Sequence, residues 1–308
     1  MKKNIVIGAD VGGSHITSAA VNLENLQIIE GTLFSKKVDN KASKKSILAA
    51  WSEAINQSIK HVNVTGTLRI SFAMPGSFQY KNGIAMFETN DKYENLYQVS
   101  ITDELPAFLD GNDFNFRYQN DATSFGVGVA KLGEATGSKK VIAITLGTGF
   151  GSTFIHNGIP MVNAPGVPEG GCLWDKPYKN GVADDYFSTR WFIKKYKELS
   201  SKEVNGVKEI ALSENGYAKE TFDIFSHNLA EFMAPIIQKF QPDLIVLGGN
   251  ISNANNRFLP KVKEILKKEG ADVNFSISTL MEEAAIIGST RLFESDFWNQ
   301  VKNDLPEL

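Results

Sequence analysis

Two stretches of this chain carry the same pattern, and together they limit what it can fold into. Asn4 to Val21 (NIVIGADVGGSHITSAAV) runs from β-branched Ile5, Val6 and Ile7 through a break at Gly8 to Ser14 into a second apolar run. That is the pattern of a hairpin with an unusual turn. Gly12 and Gly13 can take backbone angles closed to other residues, so that successive N–H groups face an anion. Ser14 adds a hydroxyl donor, and Asp10 a carboxylate suited to a phosphate-bound Mg2+. A plain Gly-Gly hairpin fits the same letters. Val141 to Ile155 (VIAITLGTGFGSTFI) repeats the plan, with Gly147, Thr148, Gly149, Gly151, Ser152 and Thr153 in its turn. The repeat points to two phosphate clamps in one chain. No Gly-Lys-Ser/Thr follows either turn, and a strand rather than a helix comes next, which sets both apart from Walker loops and dinucleotide fingerprints.

The length of 308 residues and 42% hydrophobic content suffice for two domains with cores of their own. A net charge of -3 gives no electrostatic case for nucleic acid. No apolar run reaches membrane-span length, and Met1-Lys2-Lys3 leads into a strand rather than a signal segment, so a cytoplasmic protein is expected. Cys172 is the single cysteine, which excludes an intrachain disulfide and a multi-cysteine zinc cluster.

Ile47, Leu48, Trp51, Ile55 and Ile59 mark an amphipathic helix within Asn40 to His61. Leu68 to Ala73 reads as a buried strand ended by Met74-Pro75-Gly76-Ser77, and polar Asn82 to Asn95, with Glu88, Thr89, Asn90 and Asp91, as a loop. Phe114, Phe116 and Tyr118 alternate as in a strand, Asn120-Asp121 ends it, and Ala122 to Leu132 follows as a small-residue helix. Asp121 is then either an N-cap or a general base about 2.6–3.2 Å from a substrate hydroxyl, which Asn120 can help fix. Phe222, Phe225, Leu229, Phe232, Met233, Ile236, Ile237 and Phe240 trace one face of a long helix, stopped by Gln241-Pro242-Asp243. Leu244 to Leu247 is a buried strand, and Gly248-Gly249-Asn250 a tight turn where backbone can approach a flat ligand. Phe258 to Lys268 reads as a basic helix and Ile277 to Leu280 as a last strand. In Glu282 to Phe293, a final helix, Ala284, Ala285, Gly288 and Ser289 permit close packing.

The alternation of strands and helices with two hairpins gives an α/β architecture with mixed sheets. The paired glycine hairpins resemble the actin and hexokinase superfamily. The order of Asp10-Val11-Gly12-Gly13-Ser14, Met74-Pro75-Gly76, Asn120-Asp121-Ala122, Leu146 to Gly151 and Pro242-Asp243 to Gly248-Gly249 resembles the ROK family of bacterial sugar kinases and sugar-responsive repressors. The resemblance implies a two-domain actin/hexokinase-like (ribonuclease H-like) fold whose interdomain cleft holds ATP and sugar. A smaller domain is expected over residues 1–119 with 289–308, and a larger one over 120–288. It implies Asp121 as catalytic base, Gly76 and Asn120 at the sugar, and Asp10, Gly12, Gly13, Ser14, Gly147, Thr148, Gly149 and Gly151 at the ATP phosphates with Mg2+. Gly248 and Gly249 would lie beside the adenosine.

The middle of the chain departs from that family. Where ROK proteins carry Gly-Glu-x-Gly-His and a zinc-binding cysteine cluster, this chain has Pro168-Glu169-Gly170-Gly171-Cys172 and no cluster, so no structural zinc is expected. Gly181 to Tyr186 matches the next family element. Glu169 and Asp184 then become sugar contacts, with Asp185 as the alternative register, while the charge of both aspartates also suits a helix start. Cys172 reads as a small filler without a catalytic role. His15, where relatives often carry Lys, reads as an exposed turn residue. The implied function is ATP-dependent phosphorylation of a hexose or N-acetylhexosamine hydroxyl. The competing reading is a sugar-binding regulator without a DNA-binding domain, because the first strand begins at Asn4. A homodimer is left open, and the sugar unnamed.

Overall fold

A computed structural model describes residues 4–88, 92–280 and 282–305. Thr89, Asn90 and Asp91 of the expected loop lie outside the described residues. The chain forms two compact units, Met1–Leu132 with Glu282–Leu308, and Gly133–Met281.

In the first unit, β1 (Ile5–Val11) and β2 (His15–Asn22) pair antiparallel, from Ile5 opposite Asn22 to Val11 opposite Ile16. Both faces of β1 are covered, which is why its apolar run is continuous. Ile5, Ile7, Ala9 and Val11 meet Ile47, Leu48, Trp51 and Ile55 of helix α1 (Lys44–Lys60), and Val6 faces the other way, toward Leu23, Leu26 and Ile287. Ser43 caps α1 by accepting from Ser46 N–H. β3 (Gln27–Ile28) and β4 (Phe34–Lys37) extend the sheet from β2, while β5 (Leu68–Met74) and β6 (Phe114–Asn120) add in parallel beyond β1. The register sets Asp10 opposite Ala73 and Met74 opposite Asn120. Asp10, the turn beyond Met74 and the start of helix α2 (Asp121–Lys131) therefore share one sheet edge. The stretch expected as a solvated loop is partly core. Ile84–Ala85 pairs with Phe78–Gln79, and Phe87, Tyr93 and Leu96 are buried, so isolated apolar anchors outweigh the polar letters around them.

The second unit repeats the plan. β7 (Lys140–Leu146) and β8 (Phe150–His156) form the second hairpin, β9 (Ile159–Met161) extends it, and β10 (Leu244–Gly248) and β11 (Asn274–Ile277) run parallel beyond β7. The last strand is Asn274–Ile277, not Ile277–Leu280, because these four residues pair with Leu244 to Leu247. Helices α3 (Ala183–Phe187), α4 (Thr189–Ser200), α5 (Gly216–Phe240) and α6 (Asn255–Lys268) follow. The expected face of α5 is the buried one, and Gln241 closes the helix in a left-handed conformation, φ 53°. No helix among the described residues is long and apolar enough to cross a membrane.

Helix α7 (Glu282–Thr290) belongs to the first unit and lies against α2 at backbone distance. A Cβ at Gly128 would stand 1.9 Å from the Ala284 carbonyl oxygen, and one at Gly288 1.8 Å from that of Ser124. The contact joins α2 and α7 within the first unit, which runs on to Leu132 and resumes at Glu282. Beyond Thr290 the helix tightens into a 3-10 turn, Arg291–Phe293, rather than running on as α-helix.

Gly288→Ala should therefore destabilise the protein by about 3 kcal/mol or more, the upper end of overpacking costs. Gly216→Ala, where the added carbon meets nothing within 4 Å, should leave the denaturation midpoint unchanged or slightly raised. Equal midpoints for the two variants would disprove the backbone contact.

Candidate active site

Neither Gly12 nor Gly13 takes a left-handed angle, contrary to the sequence expectation. Their glycine character answers to close approach instead. A Cβ on Gly12 would sit 3.1 Å from His15 Cε1, and one on Gly13 3.2 Å from Lys92 Cε. Gly12 N–H closes the turn on the His15 carbonyl at 2.9 Å, so it does not face outward. The carbonyls are braced from the unit's own side: Tyr93 hydroxyl donates to Gly12 O at 2.6 Å, and Asn40 Nδ2 donates to Gly13 O. Ser14 O accepts from Val38 N–H at 2.9 Å. A turn whose carbonyls are tied down in this way has its backbone dipoles fixed in advance.

At the neighbouring strand end, the capping question resolves onto Asn120. Its Oδ1 accepts from Thr123 N–H at 3.1 Å, and its Nδ2 donates to the Tyr80 hydroxyl at 3.2 Å. Tyr80 in turn donates to Met74 O at 3.0 Å, beside exposed Gly76. Asp121 is the first helical residue, its Oδ1 accepting from Ala122 N–H at 2.8 Å. It is therefore not the N-cap.

Asp10 and Asp121 keep some contact with solvent, but protein crowds most of each carboxyl. Burial is the main reason that Asp10 holds its proton well above the usual carboxylate range, with the charges of Asp121 and Glu282 adding and His15 opposing. Burial also raises Asp121, against the Ala122 N–H and the Lys92 ammonium. His15 Nε2 meets Glu282 Oε1 at 2.8 Å, and Thr17 hydroxyl donates to Glu282 Oε2 at 2.8 Å. This bond raises the imidazole above its ordinary value and lowers the carboxyl. The pair thus holds where Glu282 is ionised and His15 protonated, and is lost as pH rises through the raised histidine value. With side chains 37% and 48% exposed it contributes about 0.2–1 kcal/mol.

In the second unit, Gly147 N–H closes the turn on Gly149 O at 3.0 Å, and Thr189 braces Gly147 O with its N–H (2.9 Å) and hydroxyl (2.8 Å). Thr148 is exposed, Gly151 is the second residue of the return strand, and Phe150 N–H donates to Asp184 Oδ1 at 2.6 Å. Asp184 Oδ2 accepts from Arg190 at 2.6 Å. The aspartate expected at a sugar is thus first a brace of this turn, although an ionised carboxylate has further lone pairs. Asp185 accepts from Val182 N–H and starts α3. Gly248 ends β10, and Gly249 is obligatory: its φ is 80°, and a Cβ would stand 2.4 Å from Leu146 O, next to the turn.

Glu169 is exposed on a 3-10 turn, Glu169–Gly171, whose Gly171 (φ 66°) lies against Met161 O. The segment is held by Leu173 N–H on Ser152 Oγ at 2.9 Å, Asp184 N–H on Trp174 O at 3.0 Å, and a ring cluster of Tyr178, Tyr186, Phe187 and Phe232. Burial first, then Asp175, pushes the Cys172 thiol up to about 11, which suits a filler and not a nucleophile. One cysteine does not fit the four-ligand zinc that the family resemblance attaches here. Among the described residues no three His, Cys, Asp or Glu side chains come together as a metal site.

The first unit thus gathers Asp10, Gly12, Gly13, Ser14, Gly76, Asn120 and Asp121 on one edge, and the second gathers Gly147, Thr148, Gly149, Gly151, Asp184, Gly248 and Gly249 on another. Asn40, Tyr93, Lys92, Glu282 and Thr189 were not legible in the sequence. Each reaches its turn from a distant segment, and no local pattern marks such a contact.

A family model described as ROK family matches residues 6–296. A glucokinase of Thermotoga maritima is 25% identical, over 96% of this chain and 98% of its own. An N-acetyl-D-glucosamine kinase of Haemophilus influenzae is 26% identical, over 82% of this chain and 87% of its own. Among solved structures, a ROK family glucokinase from Streptomyces griseus in complex with glucose and AMPPNP superposes with a TM-score of 0.73 at 19% identity, over 94% of this chain and 99% of that one.

The crowded acids carry a stability consequence. A carboxyl with a raised folded-state pKa binds its proton more tightly in the native protein, so stability falls as pH rises from the unfolded value of about 3.9. Asp10→Asn should melt above wild type at pH 8, with the gap closing toward pH 4. A lower melting temperature at pH 8 would show Asp10 to be a structural anchor.

Proposed function

Because this chain belongs to the ROK family, we propose that it transfers the γ-phosphoryl group of Mg-ATP to a hydroxyl of a hexose or N-acetylhexosamine. The observation that carries this reading is Asp121, a crowded carboxyl relieved of capping duty by Asn120 and sharing its sheet edge with Asp10 and a braced glycine turn. The glucokinase and N-acetylglucosamine kinase relatives support the substrate class.

Asp121 takes the proton as the sugar oxygen attacks phosphorus, a role suited to a carboxylate whose proton affinity burial has raised. The first glycine turn and Gly147 to Gly151 receive the ATP phosphates, and Gly248-Gly249 lies at the nucleoside. Mg2+ bound with the nucleotide supplies charge to its phosphate oxygens, and Asp10, crowded by two other acids, is the carboxylate that would hold it. Gly76, Asn120, Glu169 and Asp184 are assigned to the sugar.

An ADP-release screen over hexoses and amino sugars should find a substrate, and Asp121→Asn should then lower kcat by about 10²–10⁴ with little change in KM for ATP. Glu169→Gln should weaken sugar binding by about 1–3 kcal/mol and spare nucleotide binding. Sugar binding without ADP release would mark a regulator, and normal turnover by Asp121→Asn would remove the base from the mechanism.

A further inference from the structure

The second cation at the first glycine turn has no hydrogen-bond or ion-pair partner among the described residues. Lys92 lies across Gly13, with its Cδ 3.3 Å, Cε 3.2 Å and Nζ 3.5 Å from the place where a Cβ would stand. Its backbone is fixed by the next residue. Tyr93, at φ 57°, donates N–H to Asn40 O at 2.9 Å and hydroxyl to Gly12 O at 2.6 Å, and packs edge-on against Trp51 at 5.3 Å. The lysine is thus delivered to the turn by an anchored segment, and Gly13 leaves the room it occupies.

A lysine so placed ordinarily pairs with a carboxylate. Lys92 forms no ion pair or hydrogen bond with any described residue, although its charge is felt at Asp121. The residue therefore stands partly buried beside Gly13 and within electrostatic reach of Asp121, with no partner for its donors among the described residues. His15, the other cation at this turn, is tied to Glu282.

We infer that Lys92 is a phosphoryl-binding residue whose ammonium contacts the γ-phosphoryl group during transfer, an inference that rests on the kinase reading above. In that step the bond from phosphorus to the ADP oxygen breaks, and the bond from phosphorus to the sugar oxygen forms. The hydroxyl proton passes to Asp121, and the charge spread over the phosphoryl oxygens faces Lys92. A point charge that must meet a moving phosphoryl group, rather than a fixed planar anion, suits lysine.

The test compares Lys92→Met with Lys92→Arg in the full chain, reading kcat and the affinities for Mg-AMPPNP and Mg-ADP by calorimetry. Lys92→Met should lose about 10²–10³ in kcat and bind AMPPNP at least about fivefold more weakly, with ADP affinity held within about twofold. Lys92→Arg should recover about tenfold or more of the lost rate, and both variants should melt with wild type. Equal weakening of AMPPNP and ADP would show a mere prop of the turn, and a change in sugar affinity alone would place the lysine at the acceptor. Either result, or a kcat within about threefold of wild type, overturns the inference. If wild-type protein releases no ADP with any sugar, the kinase reading fails, while the AMPPNP-to-ADP comparison still judges the contact.

Discussion

Helix α7 holds the first unit's chemistry in place through two contacts of different kinds. At its middle, Gly288 lets the backbone of α2 come so near that no side chain fits between them. At its first turn, Glu282 grips His15 and Thr17 of the hairpin. One rigid rod thereby fixes the helix that begins with Asp121 and the strand that leaves the phosphate turn. Close packing of this kind transmits strain rather than absorbing it. Helix α7 thus helps set the spacing of Asp121 and the first glycine turn.

The two glycine turns are braced by different means. In the first, Tyr93 and Asn40 tie down the carbonyls, and both come from outside the hairpin. In the second, Thr189 supplies two donors to one carbonyl, and Asp184 takes an N–H. What recurs is the electrostatic task of fixing backbone dipoles before a ligand arrives, since dipoles already oriented need no reorganisation. A repeat visible as letters in the hairpins is thus invisible in their supports.

That contrast explains which features could be read from the sequence. The hairpins, the other parallel strands and the buried face of α5 follow from local periodicity, and the structure has them where the letters indicate, while the last strand lies earlier than its letters suggest. Asp121 stayed ambiguous because a cap and a base both stand at a strand end; Asn120 occupies the cap, which removes the capping reading alone. Lys92 sat in a polar run that resembles any solvated loop, and its meaning comes from Gly13, 79 positions earlier. Gly128 and Gly288 look like ordinary small residues until the backbones they admit face each other.

The segment around Cys172 has a consequence of another sort. It is closed by backbone bonds to Ser152 and Trp174 and by packed rings, and its lone thiol stays protonated well past neutrality. No thiolate takes part in the closure. Oxidants that act on thiolates therefore find none in this closure. Ring packing among Tyr178, Tyr186, Phe187 and Phe232 holds the segment beside it.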